Sequence, residues 1–92
     1  MPVTVSIPTI MRPLTGGEKR VQASGATLAA LIDDLESSYA GLKAKLLSDG
    51  KLNRFVNIYI DDEDVRFAGG LDAEVPEGGS VTILPAVAGG AA

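Results

Sequence analysis

The sequence predicts an α+β fold: a mixed sheet of about five strands with one main helix packed across one face. Segments of two-residue apolar alternation stand toward both ends of the chain, and one long segment of helical period lies between them. Size supports the same reading. With 92 residues, 46% of them apolar and 22% charged, the chain can fold around one thin core and has little room for a second domain.

Val3, Val5 and Ile7 alternate with Thr4 and Ser6, the pattern of a half-buried strand, which Pro8 ends. A connection of about ten residues follows, with Pro13 and Gly16-Gly17, before Lys19 to Ala23 resumes an extended pattern. That is long for a hairpin, and its Ile10, Met11 and Leu14 are expected to tuck over one end of the core. Leu28, Leu31, Ile32, Leu35, Tyr39 and Leu42 then share one helical face, with Thr27 placed to cap the start. Gly41 interrupts this helix. Leu42 to Leu47 can add a turn or two before Ser48-Asp49-Gly50 stops it. Phe55 to Ile60 reads as a strong strand, and Asp61-Asp62 as a tight turn into a second hairpin strand, Glu63 to Phe67. After an irregular, glycine-punctuated connection, Val81 to Leu84 forms the last strand, closed by Pro85. The order is strand, strand, helix, strand, strand, strand.

Residue types exclude much chemistry. The chain has no Cys, His or Trp, which removes Cys- or His-based zinc sites, Ser–His–Asp triads, redox thiols and disulfides. Residues 1–60 carry seven bases and five acids, whereas residues 61–92 carry one base and seven acids. So acidic a second half repels phosphate backbones, which argues against nucleic acid as a partner and suits the steering of a basic protein instead. Gly78 to Ala92 is too short and too glycine-rich to span a bilayer, and the uncharged start with Pro2 and Pro8 does not read as a signal peptide. A cytoplasmic protein with no membrane partner is expected.

The densest carboxylate cluster is Asp61, Asp62, Glu63 and Asp64, followed by Val65 and Arg66. It lacks the alternating ligands and bend glycine of a calcium loop and reads as a solvated acidic turn, with electrostatic docking as its alternative role. Gly50-Lys51 lacks the flanking residues of a phosphate loop. No catalytic constellation emerges, so the chain is not expected to be an enzyme.

Of four Gly-Gly pairs, three lie between elements and serve turns. The fourth, Gly89-Gly90, follows Pro85-Ala86-Val87-Ala88 and precedes only Ala91-Ala92. A frayed terminus is one reading. The other is a tail used as substrate: small, uncharged residues fit a narrow channel in a partner, and glycine leaves its carbonyl open to close approach. The composition favours the second.

Four stretches, VTVSIPTIMRPLTGG, the helix core from Thr27 to Leu35, RFVNIYIDDEDVRF and SVTILPAVAGG, span nearly the whole chain. Together they resemble the β-grasp, ubiquitin-like sulfur carriers of the ThiS/MoaD family, and within it the branch serving cysteine biosynthesis. The resemblance implies a β-grasp domain over residues 1–86 and a flexible tail over residues 87–92. It implies that the carboxylate of Gly90 is adenylated by an ATP-dependent, MoeB/ThiF-like activating enzyme and converted to a thiocarboxylate. Gly89 would give clearance, and Val87-Ala88 would thread the partner's channel. A CysM-like pyridoxal-phosphate synthase would receive the sulfur, and a JAMM-type zinc peptidase would release the product. ATP, pyridoxal phosphate and zinc would then belong to partners, with no cofactor held by this chain. A carrier for thiamine, molybdopterin, methionine or a secondary metabolite, or a ubiquitin-like modifier, has the same fold. One departure from the family pattern stands out. With Ala91-Ala92 attached, Gly90 is in an amide and cannot be adenylated, so a processing site between Gly90 and Ala91 is implied.

Overall fold

Residues 2–85 are described by the computed structural model. The chain opens with β1 (Val3–Ser6), in which Val3 and Val5 point into the core. The connection that follows is a 3-10 helix, Thr9–Thr15, rather than an open loop. It tucks Met11 into the core and packs Leu14 against it, whereas Ile10 stays exposed. Thr15 holds the segment together, its hydroxyl donating to the carbonyls of Arg12 (3.2 Å) and Glu18 (2.9 Å).

Strand β2 (Arg20–Ala23) pairs antiparallel with β1, Val5 lying opposite Val21. Helix α1 (Leu28–Ser38) begins where Thr27 Oγ1 accepts from the Ala30 amide at 3.3 Å, satisfying one of its unpaired N-terminal donors. Leu28, Leu31, Ile32 and Leu35 form its buried stripe. Gly25 lets β2 deliver the chain directly onto this helix. A Cβ there would stand 2.7 Å from Leu31 Cα and 2.8 Å from the Ala30 carbonyl carbon, both unyielding backbone.

A short α2 (Leu42–Leu46) follows the break at Gly41. Ser48-Asp49-Gly50 does stop the helix, but as the turn of a small hairpin that the sequence pattern did not reveal: β3 (Leu47–Ser48) against β4 (Lys51–Leu52). Two residues per strand are too few to display alternation. Strand β5 (Val56–Ile60) buries Val56, Ile58 and Ile60, as its alternation predicts. Asp61 and Asp62 form the two-residue turn with φ of 48° and 73°, the left-handed conformation that a tight hairpin requires at both central positions.

The second hairpin strand is shorter than expected. Instead of running to Phe67, β6 is only Glu63–Asp64, and Val65–Phe67 coils into a 3-10 turn. The cause is local: the Asp64 carboxylate accepts from the Arg66 amide at 2.9 Å, which curls the backbone and drops Val65 into the core. Another 3-10 turn, Gly70–Asp72, leads through buried Ala73 and Val75 to β7 (Ser80–Pro85).

The five-stranded sheet has the order β2-β1-β7-β5-β6. It is mixed, because β7 runs parallel to β1 and antiparallel to β5. One face packs under α1 and α2 around a single apolar cluster, and among the described residues no buried side-chain polar atom lacks a partner. No helix among them is long and apolar enough to cross a membrane.

The break between the helices has its own electrostatic fastening. The Glu36 carboxylate accepts from the Lys43 amide at 2.9 Å and from the Gly41 amide at 3.1 Å, capping α2 from the preceding helix. The Lys43 and Gly41 amides hold the Glu36 carboxyl below its ordinary pKa. Asp33, 2.6 Å from Lys43 Nζ, raises the ammonium's pKa in turn. Since folding makes Glu36 a stronger acid, its contribution is complete above the ordinary glutamate range and fades as pH falls through the lowered value. Glu36→Gln is therefore expected to lower the thermal midpoint at pH 7, with the gap from the parent closing as pH falls below the ordinary glutamate range. Melting curves across that range check it, and a gap that stays constant into acid contradicts it.

Candidate functional site

The sequence directs attention to the end of β7, and the structure explains what places it. Val81 and Ile83 are buried beneath the helices, which fixes the face of the strand. Its register is fixed on both sides: Val81 lies beside Val5 of β1 and opposite Ile60 of β5. The two neighbours then part company. Pairing with β1 stops at Thr82, opposite Ser6: Ile7 continues the ladder to β2, bonding the Lys19 carbonyl (2.8 Å), while Pro8, next in line to donate toward β7, has no N–H. Pairing with β5 continues to Pro85, opposite Val56. Pro85 has no N–H with which to extend the ladder. The last residues of β7 therefore run past β1 while still held by β5, and the chain continues from the margin of the sheet.

The start of β5, opposite this exit, is braced by Arg66. Its guanidinium donates to the carbonyls of Val56 (2.8 Å) and Asn53 (3.4 Å) and to the side-chain carbonyl of Asn57. Asn57 is the cross-strand partner of Leu84. Just before β5, the Arg54 guanidinium stacks 5.2 Å from the centroid of the half-exposed Phe55 ring. The bracing role of Arg66 was not anticipated from sequence. The spacing Asp64-Val65-Arg66, an aspartate two residues before the amide it caps, is the signal that would have found it.

The acidic turn lies at the opposite end of β5. Its four carboxylates do different things. Asp61 Oδ1 accepts from the Ser80 amide (3.0 Å) and hydroxyl (3.3 Å), pinning the start of β7, and Asp64 caps the following 3-10 turn. Asp62 and Glu63 are exposed and available to a partner. Gly79 belongs to the same fastening, since a Cβ there would stand 3.1 Å from Asp61 Oδ2 and 3.0 Å from the Pro76 carbonyl oxygen. No group of three or more acidic, His or Cys side chains among the described residues is placed to hold a metal ion. Val87, Ala88, Gly89, Gly90 and Ala91, the expected threading, thiocarboxylate and processing residues, lie outside the described residues.

A mixed five-stranded sheet grasping one helix, with its central strand delivering the C-terminal segment, defines a β-grasp protein. The ThiS family profile matches residues 5–90, and the chain belongs to that family. The match ends at Gly90 and leaves Ala91-Ala92 outside it. The sulfur carrier protein CysO of Mycobacterium tuberculosis is 64% identical over 93 aligned residues, covering 98% of this chain and all of that relative. CysO in the crystal structure of the BexX/CysO complex of Amycolatopsis orientalis is 65% identical and superposes with a TM-score of 0.91, over 96% of this chain and 99% of that one. The small archaeal modifier protein 3 of Haloferax volcanii is 32% identical over 65 residues, 71% of each chain.

Replacing Arg66 with Met removes the brace while retaining much of the aliphatic stem. The variant is expected to lose about 1 kcal/mol of stability and to exchange the amides of Val56 and Asn57 faster. Denaturant titration and hydrogen exchange check this. An unchanged midpoint with unchanged exchange contradicts the brace.

Proposed function

We propose that this chain is a sulfur carrier for cysteine synthesis, a protein substrate whose working group is the carboxylate of Gly90. The observation that carries the reading is the family match, which runs from β1 to Gly90 and stops there, together with near full-length identity to CysO. The fold supports it physically. A strand held on both sides by the sheet needs only Ala86, Val87 and Ala88 to reach Gly89-Gly90 from Pro85, so a partner that grips the domain can also place the tail.

The chemistry follows from the carboxylate. A free carboxylate is a poor electrophile, and adenylation by an ATP-dependent, MoeB/ThiF-like enzyme supplies a leaving group that a sulfur donor can displace. The resulting thiocarboxylate is a nucleophile at neutral pH. Its sulfur attacks an acceptor activated on pyridoxal phosphate in a CysM-like synthase. An acyl shift leaves cysteine in peptide linkage to Gly90, and a JAMM-type zinc peptidase releases it. The same peptidase, shaped to cut after Gly-Gly, removes Ala91-Ala92 beforehand, because an amide at Gly90 offers no carboxylate to adenylate. On this reading the chain docks on partner proteins that accept its tail; the CysO of Amycolatopsis orientalis forms a complex with the protein BexX.

Similarity to a small archaeal modifier favours a second reading, in which Gly90 forms isopeptide bonds with lysines of other proteins. Intact mass spectrometry separates the two. On the carrier reading, activating enzyme, ATP and sulfide convert a form ending at Gly90 to a species one oxygen-to-sulfur exchange heavier. Full-length protein is converted only with the peptidase present, and full-length Gly90→Pro never. Loading of full-length protein without loss of alanine mass would sink the processing step, and ladders of conjugates on other proteins would favour the modifier.

A further inference from the structure

Charge in this domain is sorted by pole. The pole at which β7 ends carries Arg12, Lys19, Arg20, Lys51, Arg54 and Arg66, six of the chain's eight bases, against Glu18, Asp49 and Glu36, whose carboxylate is taken up by the Gly41 and Lys43 amides. The topology places them there. The 3-10 connection joins the end of β1 to the start of β2, the β3–β4 hairpin leads into the start of β5, and Arg66 reaches back to Val56. The other pole, where β7 begins, carries Asp61, Asp62, Glu63, Glu74 and Glu77 and no Lys or Arg. Strand β5 alone separates the poles by about 13 Å. That exceeds the ~8 Å screening length at physiological salt, so an approaching surface meets them as separate fields.

None of the six bases is ion-paired to a carboxylate among the described residues, where the ion pair of the fold is Lys43 with Asp33. Arg66 donates only to neutral carbonyls, and Arg54 lies over a phenyl ring. Their charge is unspent. Exposed apolar surface gathers at the same pole. Phe55 (47% exposed) and Leu84 (45%) flank the exit, Ile10 (69%) sits on the 3-10 connection, and Phe67 (86%) follows the Arg66 that reaches Val56. A cleft of about 550 Å³ opens beside Phe55, lined by Asp49, Lys51, Leu52 and Arg54 among others. An apolar centre with aromatic groups and arginines is the composition of a protein–protein contact.

We infer that the pole around the β7 exit is a docking surface for a protein with an acidic rim around its tail channel, and that the charge separation steers the carrier tail-first onto it. This rests on the carrier reading, which requires a partner to approach this pole. A neutral or basic rim would leave the bases desolvated without partners, whereas an acidic one pairs with them and repels the far pole. Nucleic acid fits less well, because the acids at the far pole offset the attraction.

The test measures association of full-length protein with purified BexX by stopped flow across a salt series. The parent's association rate should fall steeply with salt. Lys51→Glu/Arg54→Glu should associate about ten-fold or more slowly at low salt and lose most of that dependence, with an unchanged unfolding midpoint. Asp62→Lys/Glu63→Lys should not slow association. A rim variant within two-fold of the parent overturns the inference, as does slowing by the acidic-turn variant alone. Retention by a duplex oligonucleotide of the parent, but not of the rim variant, overturns it in favour of nucleic acid. Absence of BexX binding by the parent at every salt concentration removes the partner reading and this inference with it, whereas charge-insensitive binding removes this inference alone.

Discussion

Strand β7 must satisfy two neighbours of opposite direction at once, parallel to β1 and antiparallel to β5, with Val81 and Ile83 facing the core. A slip of one residue would expose both side chains and bury Thr82. The rest of the sheet joins through this strand. Without it the β1–β2 hairpin and the β5–β6 hairpin share no ladder, because β7 is the only strand between them. The same constraint determines where the chain goes next, since the last paired residue, Pro85, sits at the margin of the sheet.

Both ends of this strand are secured by side chains from elsewhere. At its start, the Asp61 carboxylate takes the Ser80 amide and hydroxyl in the space that Gly79 leaves open. Toward its end, Arg66 holds the opening of β5, the one neighbour that still pairs there. The acidic turn is thus partly a structural fastening of the far pole. It leaves Asp62 and Glu63 to the solvent and gives the domain its negative end, while the bases collect around the exit.

Much of this was legible in the sequence, because a period of two or of 3.6 survives wherever an element has one buried face. The alternations of Val3 to Ile7 and Val56 to Ile60, the Leu28–Leu35 stripe, the Thr27 cap and the Asp61-Asp62 turn all appear in the structure. What was not legible is short or non-periodic. The β3–β4 hairpin has two residues per strand, and the 3-10 segments at Thr9–Thr15 and Val65–Phe67 are held by individual Thr15 and Asp64 hydrogen bonds. The family was readable directly, whereas the Gly89-Gly90 pair lies outside the described residues. The Arg66 brace and the sorting of charge by pole were not readable, because both depend on which loops the topology brings to the same end.

The central claim is that β7 is the rigid member from which the tail is presented. Native-state hydrogen exchange tests it most directly. The amides of Val81, Thr82 and Ile83 should be among the slowest in the protein, exchanging only on global unfolding. Ile83→Ala, expected to cost about 2–5 kcal/mol, should speed them in step with the loss of global stability. Exchange of β7 through local opening, faster than that of the edge strand β2, would contradict the account.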